Sequence, residues 1–131
     1  MNVLLDTHVL IWWIENNKRL GRRAKTIIHD NQTTVYISAV SIWEISIKAV
    51  LERLDVEPEF IDELPHEMEL SGFRPLSITF EHAFAVRPLP LFHADPFDRM
   101  LVAQAKCEQL TVLTANARIR AYDIPIIDAS T

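Results

Sequence analysis

The sequence predicts an α/β fold in which a mostly parallel sheet of four to five strands is covered by helices on both faces. Short apolar or β-branched runs alternate with longer segments of helical periodicity along most of the chain. This alternation is typical of βαβ units, whose strands lie parallel because a helix returns the chain to the same edge. The chain has 131 residues, 49% of them hydrophobic, which predicts a single domain over residues 1–131.

Local patterns predict each element in order along the chain. Asp6, Ser41, Pro58 and Thr79 mark helix starts because they suit the N-cap or the first helical position. Strands are predicted at residues 2–5, 34–39, 73–78, 111–114 and 124–127. Helices are predicted at about residues 8–15, 21–29, 42–53, 59–70, 81–86 and 97–109, with a helical turn at 117–122. Pro125 marks the last strand as an edge strand.

Composition and charge exclude several classes of protein. Two glycines argue against a glycine-rich phosphate loop, and no run approaches the roughly 20 apolar residues of a membrane span. An acid at position 6 comes too early for a signal peptide, which predicts a cytoplasmic protein without a membrane partner. The net charge of −5 disfavours nonspecific nucleic-acid binding. Five basic residues between Lys18 and Lys25 form either a solvated helix face or a local contact for a phosphate backbone.

Four carboxylates border strongly apolar segments, namely those of Asp6, Glu44, Asp95 and Asp98. An ionised carboxylate beside a core is costly unless a positive group meets it. Asp6 directly follows the first strand, and Asn116 closely follows the fourth. Glu44 and Asp98 are expected in the first turns of helices that open towards the same edge. Functional groups of such sheets gather beyond the carboxyl ends of the strands, so we expect these acids to converge.

Each acid also has a purely structural explanation. Asp6 alone suits a helix N-cap, and Glu44 can pair with Lys48 one helical turn later for about 0.2–0.5 kcal/mol. A surface pair does not need apolar neighbours, so those around Glu44 favour a role in a site. Asp95 and Asp98 both suit a helix N-terminus, where one acid suffices. We therefore expect Asp98 to be a ligand and Asp95 to be the cap.

The donor atoms indicate a hard divalent cation. Three carboxylates without histidine or cysteine partners suit Mg²⁺ or Mn²⁺ better than Zn²⁺. A magnesium ion held by a few acids keeps several waters, and one of these can attack a phosphodiester. The sequence therefore predicts metal-dependent phosphoryl chemistry, with Asp6, Glu44 and Asp98 as its catalytic, metal-binding residues.

Four segments carry a resemblance that spans almost the whole chain. They are Leu4-Leu5-Asp6-Thr7-His8, Ser41-Ile42-Trp43-Glu44-Ile45 with Lys48, His93-Ala94-Asp95-Pro96-Phe97-Asp98-Arg99-Met100-Leu101, and Leu113-Thr114-Ala115-Asn116. Together they resemble the PIN-domain ribonucleases, and among these the VapC-type toxins of bacterial toxin–antitoxin pairs. The run of aspartate, proline, phenylalanine, aspartate and arginine is the most specific part.

The resemblance implies a three-layer α/β/α sandwich and a Mg²⁺- or Mn²⁺-dependent endoribonuclease that cleaves RNA. It also implies a small protein antitoxin as partner and a homodimer. Asp6, Glu44 and Asp98 match the metal-site acids of the family, whereas Asn116 stands where many members have a fourth acid. An amide can still bind the metal, but it brings no negative charge. Candidates that support the site or contact the substrate are Thr7, Lys48, Asp95, Arg99 and Thr114.

Several alternatives remain open at this stage. Arg99 either guides the RNA backbone or forms a structural ion pair. His8 and His93 lie near the site segments, but lone histidines are more often structural. Trp12 and Trp13 are expected in core or interface packing rather than in base stacking.

Other function classes also remain. Because Asn116 is not an acid, the chain can also be a PIN-like module that binds RNA or protein without cutting it. A phospho-acceptor domain would need a second acid beside Asp6 and a lysine after the last main strand. A dehalogenase-like phosphatase would need aspartates at both ends of the segment that here is Asp6-Thr7-His8.

Overall fold

The computed structural model describes all 131 residues and consists of a five-stranded parallel sheet with helices on both faces. The strands are β1 (Asn2–Leu5), β2 (Thr34–Ser38), β3 (Arg74–Leu76), β4 (Thr111–Thr114) and β5 (Ile126–Asp128). The helices are α1 (Thr7–Glu15), α2 (Arg22–His29), α3 (Ala39–Val50), α4 (Pro58–Leu70), α5 (Phe80–Ala85) and α6 (Pro96–Glu108). A 3₁₀ turn at Ile119–Ala121 follows β4.

The strand order β3-β2-β1-β4-β5 creates a switch in direction beside the first strand. The chain builds outward from β1 to β3 and then crosses back to place β4 on the other side of β1. Every pair is parallel, and Leu5 at the end of β1 lies opposite Leu113 of β4. The Asp6 amide donates to the Leu113 carbonyl at 3.1 Å, so the pairing continues past the end of β1. Sheets of this kind place their sites at such a switch.

Two separate apolar cores lie on the two faces of the sheet, which confirms the predicted α/β/α layers. Val3 and Leu5 of β1 pack in the core formed with α1, α2 and α4. Leu4 packs in the other core, formed mainly with α6. Side chains of a strand alternate between its faces, so a fully buried run of three apolar residues requires cover on both sides.

The element boundaries differ from the sequence prediction mainly at α3. Ser38 rather than Ser41 is the N-cap, and its hydroxyl accepts the Val40 amide hydrogen at 3.0 Å. Both serines suit a cap locally, but β2 pairs with β3 only as far as Ser38, where the chain turns into the helix. Glu44 consequently lies in the second turn of α3, and the prediction that placed it in the first turn is wrong.

The remaining predicted elements are present with small shifts at their ends. The strand predicted at 73–78 is limited to Arg74–Leu76, and β5 is an edge strand as its proline indicated. None of the helices combines the length with the apolar composition that a bilayer crossing requires.

Candidate functional site

Asp6 lies at the carboxyl end of β1 and serves two roles at once. Its Oδ1 accepts the Val9 amide hydrogen at 2.8 Å and caps α1, as the sequence predicted. Its Oδ2 accepts the hydroxyl hydrogen of Thr114 from the end of β4. Burial raises the pKa of Asp6; these hydrogen bonds oppose the shift, whereas the negative charge of Glu44 adds to it. The bond from Thr114 holds Oδ2 of Asp6 at the switch point, whereas Oδ1 caps the helix.

The end of β4 links Asp6 to Asp98 through a chain of hydrogen bonds. Thr114 Oγ1 accepts the Asn116 amide hydrogen at 3.0 Å while donating to Asp6. The Asn116 side chain turns back and lies with its Nδ2 3.4 Å from Asp98 Oδ2. Residues from β1, β4 and α6 thus meet at one edge of the sheet.

Asp98 stands in the first turn of α6 and faces His93 from the preceding loop. Asp95 is the N-cap of this helix, as predicted, and its Oδ1 accepts the backbone N–H groups of Phe97 and Asp98. His93 Nε2 lies 2.7 Å from Asp98 Oδ2. Burial raises the pKa of Asp98 to about 6; the hydrogen bond to His93 opposes the shift, and the charges of Asp95, Asp6 and Glu44 add to it.

Glu44 enters the same acidic group from the second turn of α3. Its side chain is only 3% exposed, and its Oε2 forms an ion pair with Lys48 Nζ. Its Oε1 is buried without any hydrogen-bond partner. Because its charge raises the pKa of both Asp6 and Asp98, the three carboxylates act on one another electrostatically. The structure therefore places the three acids that the sequence singled out near enough for their charges to influence one another.

The donor set of this acidic cluster, defined here as Asp6, Glu44 and Asp98, fits a divalent cation. A buried carboxylate oxygen without a donor carries the full desolvation cost of that atom, and a bound cation would offset this cost. Only Lys48 brings a formal positive charge into direct contact with one of the three acids. The residues whose ligand atoms all lie within 4.8 Å of one another are His93, Asp95 and Asp98, so Asp6 and Glu44 lie outside this tightest group.

His93 is a residue of this site that the sequence analysis noted near the site segments but did not include among the site residues. Its ring is buried, its Nε2 contacts Asp98, and its Nδ1 has no partner. The only sequence signal was its position five residues before Asp98 in a proline-rich loop. That signal could not be separated from an ordinary structural histidine.

Thr7 supports the site without contacting the carboxylates by hydrogen bonds. Its hydroxyl donates to Ser41 Oγ at 3.0 Å, and both residues are buried. This bond joins the first turn of α1, which carries Asp6 at its cap, to the helix that carries Glu44. Thr7 therefore fixes the spacing of the two helices.

Arg99 points away from the acidic cluster and organises the loop before α6. Its buried guanidinium donates to the carbonyl oxygens of Val86, Leu89, Pro90 and His93 and to the Tyr122 hydroxyl, at 3.0–3.4 Å. We call this arrangement the arginine clamp. It contacts no carboxylate, so the ion pair considered from the sequence is absent. Both terminal nitrogens of the guanidinium are taken up by these contacts, so Arg99 supports the site by holding the His93 loop.

Comparison with known proteins agrees with the fold. Residues 3–125 match the PIN domain family. Ribonuclease VapC22 of Mycobacterium tuberculosis is 30% identical over 124 residues, which cover 94% of this chain and 93% of that protein.

Solved structures with the same fold include two toxin–antitoxin complexes. VapBC2 from Rickettsia felis, bound to a DNA fragment from its promoter, superposes with a TM-score of 0.69 at 14% identity, covering 97% of this chain and 98% of that one. VapBC-1 from nontypeable Haemophilus influenzae superposes with a TM-score of 0.65 at 16% identity, covering 100% of both chains. At these identities the likeness shows the fold alone.

Proposed function

The chain belongs to the PIN-domain family, and we propose that it is a divalent-metal-dependent endoribonuclease acting as the toxin of a toxin–antitoxin pair. The observation that carries this proposal is the acidic cluster at the β1–β4 switch, in which Glu44 Oε1 is buried without a partner. The relationship to Ribonuclease VapC22 supports RNA as the substrate. Hydrolysis of RNA phosphodiesters is the reaction that this combination of acids and ancestry favours.

The residues of the cluster would hold the metal ion. Asp6, Glu44 and Asp98, with the Asn116 side chain beside them, would hold Mg²⁺ or Mn²⁺, because oxygen donors suit these ions. The bound cation would supply charge stabilisation at the phosphate oxygens and a water of lowered pKa. Thr114 orients Asp6 and leaves its carboxylate fixed at the switch point.

Other residues prepare the carboxylates. Lys48 pairs with Oε2 of Glu44, which leaves Oε1 available as a ligand for the metal. His93 Nε2 contacts Oδ2 of Asp98 and so fixes the orientation of that carboxylate. A site carboxylate would accept the proton of the attacking water.

The solved structures that share the fold also indicate a partner. Two solved structures that share the fold are VapBC assemblies, which supports a small protein antitoxin for this chain. A homodimer and a location in the cytoplasm, where RNA is available, complete the proposal.

RNA cleavage tests the proposal directly. Wild-type protein should cleave single-stranded RNA with Mg²⁺ or Mn²⁺ and lose this activity with chelator. Asp98→Asn should lower the rate at least about a hundredfold, since it removes a charged donor from the cluster. Asp62→Asn, which removes the same charge from the exposed side of α4, is the matched control. Equal cleavage by wild type and Asp98→Asn would contradict the assigned role.

A second candidate function is supported by the position of Asn116. Its Nδ2 faces Asp98 where an acid would add negative charge, so the cluster holds one carboxylate fewer than in many members of the family. This favours weaker cation binding and therefore a module that binds RNA or protein without cutting it. Retention of RNA without cleavage at saturating Mn²⁺ would identify that function.

A further inference from the structure

A polar cleft of about 340 Å³ opens beside the acidic cluster. It lies between α1, the turn after α1, the last turn of α3 and the loop that follows α3. Its aromatic and basic walls are formed by His8, Trp12, Arg19, Lys48 and Arg53. The rim also carries Glu15 and Asp55.

Two residues connect this cleft to the acidic cluster. Lys48 lines the cleft and at the same time forms the ion pair with Glu44. His8 is exposed and lies two residues after Asp6, the first acid of the cluster. A group bound in the cleft would therefore lie next to any phosphate held at the cluster.

The two arginines of the cleft have no partner within the protein. Neither Arg19 nor Arg53 forms an ion pair or a hydrogen bond through its side chain, and both are exposed. Unpaired arginines at the mouth of a cleft suit phosphate groups, which they bind through a planar fork. They are notable in a chain of net charge −5.

The two adjacent tryptophans differ in how fully the protein satisfies them. Trp13 donates from Nε1 to Ser71 Oγ at 3.0 Å and packs against His29 and Phe73. Trp12 is half-buried and packs in part against the core on its side of the sheet. Its indole N–H has no partner, and its ring lines the cleft with a tilted contact to His8 at 6.4 Å. An accessible indole face beside cations is the usual platform for stacking an unpaired base.

We propose that this cleft binds one unpaired nucleotide of the RNA substrate, with the base against Trp12 and the flanking phosphates at Arg19 and Arg53. The inference rests on the proposed ribonuclease function and extends it, because it names the residues that would hold one nucleotide beside the cluster. Glu15 and Asp55 interrupt the basic surface, which limits the subsite to a single nucleotide. Their carboxylates can accept hydrogen bonds from the amino group of a base.

The test measures RNA affinity separately from cleavage. Fluorescein-labelled single-stranded RNA and a duplex of the same sequence are titrated with full-length protein in chelator, and binding is followed by anisotropy. Single-stranded RNA should bind at least about tenfold more tightly than the duplex. Trp12→Leu, which keeps apolar packing but removes the aromatic face, should weaken single-strand binding about tenfold or more. Trp12→Phe should stay within about threefold of wild type because it retains a face for stacking.

Charge controls complete the experiment. Arg19→Ala and Arg53→Ala should each weaken binding severalfold and reduce its dependence on salt, whereas Arg23→Ala on the exposed side of α2 should not. Unchanged affinity in Trp12→Leu would overturn the subsite and would leave the proposed cleavage intact. A wild-type protein that neither binds nor cuts RNA would overturn both proposals, which separates the two failures.

Discussion

Adjacent residues of α6 take part in two buried charged arrangements that are built in opposite ways. The arginine clamp satisfies both terminal nitrogens of its guanidinium, since Nη1 and Nη2 of Arg99 donate to five neutral acceptors. The acidic cluster does not satisfy its own groups, because Glu44 Oε1 has no donor and Lys48 pairs with only one of the three acids. Asp98 belongs to the acidic cluster, and the next residue, Arg99, forms the clamp.

The difference separates stability from binding. Buried polar groups normally find partners, so a satisfied cation among backbone carbonyls stabilises the loop that it holds. Buried carboxylates that repel one another lower stability unless a ligand supplies the missing charge. The clamp therefore serves the fold, whereas the cluster is prepared for a ligand at the expense of the fold. Three measurements test whether the clamp stabilises the fold and whether the cluster binds a cation.

Removal of the clamp should have the largest effect on stability. Arg99→Met keeps the apolar stem but leaves carbonyl oxygens of the 86–93 loop without donors. We expect the free energy of unfolding to fall by about 2–4 kcal/mol in urea denaturation, because buried acceptors lose their partners. Arg118→Met, an exposed arginine without side-chain hydrogen bonds, should change it by less than about 0.5 kcal/mol. Equal effects of the two substitutions would show that the clamp is not structural.

Addition of a divalent cation should stabilise the protein through the cluster. At a concentration one hundred times the dissociation constant, Mg²⁺ or Mn²⁺ should raise the free energy of unfolding by about 2.7 kcal/mol. Thermal denaturation with and without chelator measures this gain. Asp98→Asn should reduce the gain strongly, whereas Asp62→Asn should retain it. The same gain in both variants would place cation binding outside the cluster.

The pH dependence of the metal-free protein should show the smallest effect. The folded pKa of Asp98 is about 6, above its usual value near 3.8, and the pKa of Asp6 is also raised. A raised carboxylate pKa means that the folded state holds its proton more tightly than the unfolded state. Stability should therefore be lost as pH rises from about 4 to about 6, and Asp98→Asn should remove about 1–2 kcal/mol of that loss. Urea denaturation at pH 4, 5, 6 and 7 gives the profile, and a flat wild-type profile would contradict it.

Most of the fold could be predicted because local pattern and tertiary packing agree. The apolar run of β1 is explained by cover on both faces, and Asp6, Thr79 and Asp95 cap the helices that follow them. The exception is the start of α3, where two serines compete as caps. Pairing between β2 and β3 selects Ser38, and no local rule could have made that choice.

The acids of the candidate site could be predicted because a carboxylate beside apolar residues is costly without a partner. The roles of the neutral and cationic residues near the site could not be predicted from the sequence. The basic character of Arg99 suggests a surface contact, yet its side chain turns inward to bind a loop that lies 6–13 residues earlier. Trp12 and Trp13 are indistinguishable as neighbours in sequence, but only Trp13 finds a hydrogen-bond partner, 58 residues away in Ser71.

The sequence alone therefore determined the layered α/β architecture, the order of its elements and the identity of the three acids, because apolar periodicity and misplaced charge are local properties. The tertiary structure alone decided which groups are satisfied. It placed His93 on Asp98, turned Arg99 into a clamp and left Glu44 Oε1 without a donor. Hydrogen-bond satisfaction depends on distances between segments far apart in the chain, and those distances exist only once the sheet has formed.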